Sequence, residues 1–388
     1  MRTHWQQLSV VASASIILGL LLLYRLGSLT GGLSSDEVSQ QLFSASWHHI
    51  LDNPLFAPLT VVQWLFLTVF SHHTPAMTRL PSLLFAILTL AAFSYVLKRW
   101  YGIRTALLGS ILFGFSSWFL HASRLGTIDI LYVWAMPTVL ALQLAWQRYN
   151  NRFLFQIIAL IGVAALLYIP GLLWPLIAGL LLQPQQLRTV WQGLQTWWRR
   201  ALMILLFVIL MAPLVYGLAK TPSLVQAWLG LPHSFTSATE VAKRLVESVS
   251  FFVIRGPQLP ALWLDTLPIL DIFAIFMAVL GVLFYVKHFT LPRTRLLGGL
   301  FVIGALFFAL GGPVMLSILV PLVYLVVIAG VGYLLHDWLR VFPRNPLARS
   351  IGFGLVGIAI ALSCAYNVRS YFVAWPHNPT TEQTFQHR

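Results

Sequence analysis

The chain has 388 residues, of which 59% are hydrophobic and only 9% charged, and its formal net charge is +14. A mean hydropathy of +0.82 with recurring apolar runs near the ~20 residues that cross a bilayer implies a polytopic helical membrane protein. The basic residues are scattered in twos and threes, which argues against a nucleic-acid surface, and the single cysteine, Cys364, excludes a disulfide framework or a thiolate metal site.

In chain order, apolar patterning predicts spans at about residues 8–26, 81–97, 105–121, 129–146, 153–169, 171–183, 201–219, 268–286, 296–311, 313–335 and 351–368, about 11 transmembrane helices in one all-α membrane domain covering 1–388. The N-terminal run lacks a small-residue cleavage motif and is read as a retained first span. With a cytoplasmic N-terminus, one side collects Arg2, Lys98, Arg99, Arg104, Arg148, Arg152, Arg188, Arg199, Arg200, Lys287, Arg293, Arg295, Arg340, Arg344 and Arg349. These 15 of the 24 basic residues set the orientation by the positive-inside rule. The opposite side receives Asp36, Glu37, Asp52, Asp129, Glu240, Glu247, Asp265 and Glu382, with Asp271 near an outer helix end and Asp337 alone inside. Acids carry little topological information, so their gathering on one side predicts a polar, functional extracytoplasmic face.

Two long segments lie on that face. Residues 27–80 form a first loop whose apolar stretch Leu55–Phe70 is short and preceded or broken by Pro54 and Pro58, which predicts interfacial or re-entrant juxtamembrane helices. Residues 220–267 form a second loop with a helical middle, Ala238–Val253, whose polar face carries Lys243, Arg244 and Glu247; it is read as a lid. Trp191, Trp197 and Trp198 beside Arg199 and Arg200 read as an interfacial anchor, and the tail Tyr371–Arg388 as short, polar and loose.

Three constellations carry chemistry. The adjacent acids Asp36 and Glu37 follow the first span; a carboxylate there can take a proton from an acceptor hydroxyl, although an isolated acid pair is also an ordinary feature of a solvated loop. Arg79, in Thr78-Arg79-Leu80-Pro81-Ser82, reads either as a snorkelling helix entry or as a clamp for a lipid phosphate. The hairpin His121–Asp129 returns Arg124 and Asp129 to the same level, where Arg124 can snorkel and Asp129 can favour a helix start. Arg255 and His233 are weaker candidates for substrate contact. The pairs His48/His49 and His72/His73 diverge on a helix and do not form a closed zinc set, so no metal site is assigned and a divalent cation is left open.

Taken together, Asp36-Glu37, Asn53-Pro54-Leu55, Thr78–Ser82, Tyr101–Gly109 and Ser123-Arg124 followed by Asp129 give residues 31 to about 150 a resemblance to the GT-C superfamily of membrane glycosyltransferases, in the protein O-mannosyltransferase and aminoarabinose-transferase-like (family 39-like) branch. The resemblance implies an inverting hexosyl- or pentosyltransferase of the plasma (inner) membrane. It would move a sugar from a polyprenyl-phosphate-linked donor to a protein, lipid or glycan acceptor on the extracytoplasmic side. It implies Asp36 as the catalytic carboxylate and Glu37 as its neighbour in acceptor binding, with no cofactor demanded. Arg79 and Arg124 are charge-based choices for the donor phosphate, with Asp129, Asn53, Arg255 and His233 in support. Asn53 stands where relatives often carry a basic residue or His, which removes one expected phosphate contact. Membrane lipids are the remaining partners. The competing readings are a transporter or flippase of a lipid-linked substrate and a non-catalytic relative; the clustering of ionisable residues at the interface, away from the bilayer midplane, favours surface chemistry.

Overall fold

The computed structural model describes residues 13, 15–70, 74–150, 152–182, 196–235 and 237–385. Arg2, His72, His73, Arg188 and Trp191, with the beginning of the first predicted span, lie outside the described residues. Within them the regular elements are helices: α1 (15–23), α2 (Ser35–Ser44), α3 (Trp47–Asp52), α4 (Ala57–Phe70), α5 (Pro75–Tyr101), α6 (Ile103–Gly114), α7 (Ser117–Arg124), α8 (Asp129–Tyr149), α9 (Phe153–Leu167) and α10 (Leu173–Leu182). There follow α11 (Trp197–Lys220), α12 (Ser223–Trp228), α13 (Ala238–Val253), α14 (Ile272–Lys287), α15 (Pro292–Ala309), α16 (Val320–Val341), α17 (Pro346–Arg369) and α18 (Pro379–Thr384).

Among the described residues six helices are long and apolar enough to cross a membrane, or seven if the pair α6–α7 is one span broken by 63°. The expected count of about 11 is not reproduced, because α9, α10 and α14 are apolar but contain 15, 10 and 16 residues. At ~1.5 Å rise per residue they reach only about 15–24 Å, against the ~30 Å of a hydrocarbon core. The break between α6 and α7 has a local cause: the Ser116 side chain caps α7 by accepting from Phe119 N and donates to Phe113 O, so the backbone re-enters a helix in a new direction.

The ends of the long helices separate by charge. Helices α5, α8 and α14 begin near Arg79, Asp129 and Asp271 and end near Lys98, Arg148 and Lys287, while α11 runs the other way, from Trp197 to Lys220. An acidic and a basic face result. Between them the core is aromatic and aliphatic, with Phe93, Phe113, Phe119, Tyr132 and Tyr324 buried together. Helices α14 and α16 touch backbone to backbone: a Cβ on Gly281 would strike Val326 O, and one on Gly330 would strike Met277 O. With no aqueous drive to bury apolar surface inside a bilayer, such small-residue contact is what holds two helices together.

Residues 27–80 contain the juxtamembrane helices α2, α3 and α4, the last apolar and, with 14 residues, short of a span. Two expectations change. Arg79 does not precede its helix, because α5 starts with Pro75 in its first turn and takes Arg79 and Pro81 inside it. The tail is not loose: α17 passes into a π-turn at Ser370–Ala374, and Tyr371, Trp375, Thr381 and Phe385 are buried. Trp375 donates its indole N–H to Pro260 O and, with Tyr371, meets the His121 ring edge-on at 4.5 Å, so aromatic packing anchors a segment whose composition looks polar.

Candidate active site

The sequence Ser34-Ser35-Asp36-Glu37 begins a helix and does not lie in an open loop. Ser34 accepts from Glu37 N at 3.2 Å while its own N–H donates to Glu37 Oε2 at 3.1 Å, a reciprocal capping box. This fixes the first turn of α2 and sends the two acids in opposite directions. Glu37 points inward and is fully buried; Asp36 is exposed, and no side-chain hydrogen bond or ion pair holds it among the described residues.

Glu37 meets Arg79 in a two-pronged ion pair, with Nε donating to Oε1 at 2.7 Å and Nη2 to Oε2 at 2.8 Å. Gly126 N adds a bond to Oε1 at 2.9 Å, so together with Ser34 N the carboxylate accepts four hydrogen bonds. The rest of the guanidinium is also engaged: Nη1 donates to Leu26 O at 2.8 Å, and Nη2 to Gly32 O at 2.9 Å and Thr30 Oγ1 at 3.3 Å. At 2% exposure Arg79 offers no face to a donor phosphate. It ties the end of the first helix, the start of α2 and the α7–α8 hairpin to α5, a geometry that only a buried, planar, five-donor group provides.

Arg124 is likewise turned inward. It donates to Leu21 O at 2.8 Å and Tyr24 O at 2.5 Å, the last carbonyls of α1, and lies over the rings of Tyr371 and Phe372 at 5.1 and 4.6 Å. A cation at a helix C-terminus complements the unpaired carbonyls there. Arg79 and Arg124, expected as a phosphate clamp, are thus held by partners within the protein, with Arg124 Nε buried and without a hydrogen-bond partner. Glu37, expected in acceptor binding, is held in the same buried pair.

Asp129 opens α8 and is 9% exposed, with Oδ1 accepting from Ser317 Oγ at 2.8 Å and Oδ2 from Thr127 Oγ1 at 3.1 Å. Trp118 Nε1 in turn donates to Ser317 Oγ at 3.2 Å. Asp36 and Asp129 lie in the first turns of α2 and α8 within electrostatic reach of each other, the first exposed and the second held. Asn53 is a local brace, accepting from Leu55 N at 3.3 Å and ending α3. Next to it Phe56 adopts φ +63°, donates its N–H to Tyr168 O and sets its ring 6.1 Å from that of Tyr132, one turn into α8. Left-handed backbone at a bulky residue is strained, and here it bends the juxtamembrane segment onto the start of α8.

His233 and Arg255 are exposed on the second long segment, and among the described residues no ion pair is formed by either. Nearby, Arg244 on α13 pairs with Glu240 at 3.3 Å and lies against Gly311. No group of three His, Cys, Asp or Glu side chains is arranged to hold a metal ion among the described residues. His49 instead stacks on Phe43 at 6.2 Å.

Gln63 is a polar centre that sequence reasoning misses. Fully buried, it donates to Gly126 O at 3.0 Å and Thr78 O at 3.3 Å and accepts from Ser44 Oγ and Gln40 Nε2, both at 2.9 Å. One amide thereby joins α2, α4, α5 and the hairpin. The signal for it is a lone glutamine in the apolar stretch Leu55–Phe70, since a buried amide must find partners.

Comparison with known proteins reports on the same region. Residues 52–216 match the sequence profile of the dolichyl-phosphate-mannose-protein mannosyltransferase family. No curated protein sequence matches the chain. The crystal structure of ArnT from Cupriavidus metallidurans bound to undecaprenyl phosphate superposes with a TM-score of 0.58 at 14% identity, covering 99% of this chain and 77% of that one. The Archaeoglobus fulgidus oligosaccharyltransferase, tethered with an acceptor peptide, gives 0.51 at 15% identity over 96% of this chain but 55% of its own length. At such identities the likeness is one of fold. Together with the profile, which overlaps residues 52 to about 150 of the stretch that carries the resemblance, it supports a multi-pass membrane chain with the fold of these proteins.

Proposed function

We propose that this chain is a GT-C membrane glycosyltransferase that uses Asp36 as the base that activates an acceptor hydroxyl against a polyprenyl-phosphate-linked sugar, on the extracytoplasmic side of the membrane. The observation that carries the reading is the divergence of the two acids: Glu37 is locked to Arg79 in the interior, and that buried pair presents Asp36 as a free carboxylate at the start of a rigid helix, beside Asp129. A base must be held in register with its substrate, and a fastened helix start does so better than a loop.

In the proposed step the Asp36 carboxylate takes the hydroxyl proton as the acceptor oxygen bonds to the sugar's anomeric carbon. The anomeric carbon–oxygen bond to phosphate breaks with its electron pair going to the departing polyprenyl phosphate, which inverts the anomeric centre. The negative charge that develops on the phosphate calls for a cation. With Arg79 and Arg124 engaged inside, the exposed cation of the second segment, Arg255, takes that role. Asp129, held by Thr127 and Ser317, is placed for hydrogen bonding to a sugar or acceptor hydroxyl.

The isoprenoid chain requires an apolar channel. A cavity of about 390 Å³ starts under α13 at Val249 and Phe252 and continues along α14, α15 and α16 past Ala278, Phe301 and Val326. Its walls are almost wholly hydrocarbon, as a polyprenyl chain demands. The ArnT structure bound to undecaprenyl phosphate supports a carrier of this class.

Asp36→Asn keeps the shape of the helix start and removes the base. The expected result, with purified protein and a polyprenyl-phosphate sugar donor, is a loss of turnover of about 10²–10⁴-fold with an unchanged melting temperature. Wild-type turnover in that variant would remove the assignment.

A further inference from the structure

The face opposite Asp36 holds a second built pocket that glycosyl transfer does not use. Two chambers, of about 190 and 370 Å³, share Tyr101, Thr105, Gly332 and His336 as walls, with Arg293 lining the first and Arg104 the second. They lie where the ends of α5, α14 and α16 meet the beginnings of α6 and α15. Together they fall in the size range of small-molecule sites.

The cations here are poised without being neutralised. Arg293 donates from Nη1 to Trp100 O at 2.9 Å and lies over the rings of Tyr101 and Phe284 at 5.5 and 5.4 Å, while its Nε is buried without a hydrogen-bond partner. Among the described residues no carboxylate pairs with Arg293, Arg104 or His336. Asp337, the one acid expected on this face, lines neither chamber and acts on Lys287, which donates to Tyr333 Oη at 3.1 Å. A stacked guanidinium not paired with a carboxylate, a second arginine and an imidazole around one cavity form the chemistry that recognises a phosphate oxyanion.

We propose that this pocket binds the phosphate headgroup of an anionic phospholipid from the leaflet at the basic face. A lipid source, as opposed to a free phosphate, follows from position. The pocket sits at the ends of membrane-crossing helices, and Trp100, Tyr101 and Tyr333 surround it as aromatic residues do at a bilayer interface. Pockets of basic residues between helices at that level suit phospholipid headgroups. The site is separate from the transfer chemistry and stands whether or not Asp36 is the base.

The test is native mass spectrometry of the purified full-length chain taken from nanodiscs of phosphatidylcholine containing a minor fraction of phosphatidylglycerol. Wild type is expected to retain phosphatidylglycerol selectively. The double variant Arg104→Gln/His336→Gln, at two exposed positions and so safe for folding, and Arg293→Lys, which keeps charge but loses the fork, are each expected to lower the retained fraction about tenfold. Arg340→Gln, on the same face but outside both chambers, is expected to retain lipid as wild type does. Equal retention in all variants would overturn the site, as would an equal loss in Arg340→Gln, which would mean bulk charge alone. Displacement of the lipid by inorganic phosphate would overturn the lipid assignment in favour of a soluble anion.

Discussion

The two long segments of the acidic face are built on opposite principles. Residues 27–80 are tied down by buried polar bonds: Glu37 to Arg79, and Gln63 to three other elements. The second segment carries its charges on the surface of α13, where Lys243–Glu247 at 3.9 Å and Arg244–Glu240 at 3.3 Å are exposed or half-exposed pairs one helical turn apart. Exposed pairs of this kind contribute only about 0.3–0.5 kcal/mol each, whereas a buried pair cannot lose one member without leaving a charge stranded. The contrast separates a platform held by buried polar bonds from a cover whose charges stay at the surface and whose anchors, Phe252 and Trp263, are apolar and buried.

Breaking the platform at its centre has the largest expected effect. Arg79→Ala leaves the Glu37 carboxylate buried with only two backbone N–H partners, and a loss of about 3–5 kcal/mol is expected. Arg79→Lys fails as well, because an ammonium cannot reach both carboxylate oxygens, Leu26 O and Gly32 O together. If Arg79 instead served the donor, as a cation on the surface would, Arg79→Ala would raise the donor KM and leave the thermal melting curve in place. A melting curve in detergent therefore distinguishes fastener from clamp.

Gln63→Leu is the next largest perturbation. It keeps the volume but strands Thr78 O, Gly126 O and the hydroxyl of Ser44, for an expected cost of about 1–3 kcal/mol. Since Gly126 also donates to Glu37, the effects of Gln63→Leu and Arg79→Ala are expected to be non-additive in a double-mutant cycle. Additive effects would show that the two knots are independent and that the platform is less unified than its bonds suggest.

The same contrast decides how much of the molecule is legible in its sequence. The acidic and basic faces, the juxtamembrane helices and the GT-C resemblance follow from short-range signals: apolar length, loop charge and local motifs such as Ser34-Ser35-Asp36-Glu37. Arg79 and Arg124 are legible as functional-looking cations but not as fasteners, because their partners are 42 and about 100 residues away and nothing local records the pairing. Trp375 and Phe385 are hidden for the same reason. Their burial depends on Pro260 and His121, which composition alone places on other loops. The span count is not confirmed where apolar runs fold as short helices, since hydropathy records apolar character without fixing helix length.

One pair joins the platform to the base of the cover, and it should matter least. Lys220 Nζ meets Asp52 Oδ1 at 2.5 Å, linking the end of α11 to α3, with both side chains about half exposed. The hydrogen bond from Lys220 holds the Asp52 carboxyl below its ordinary value of 3.8. The folded state therefore prefers the charged carboxylate. Any stabilisation it gives is complete above that ordinary value and is lost as the pH falls through the lower folded one. Asp52→Asn is expected to leave the melting temperature nearly unchanged at neutral pH and to flatten only the acid limb of the stability profile. A large loss at neutral pH would mean that the joint between the two segments is rigid.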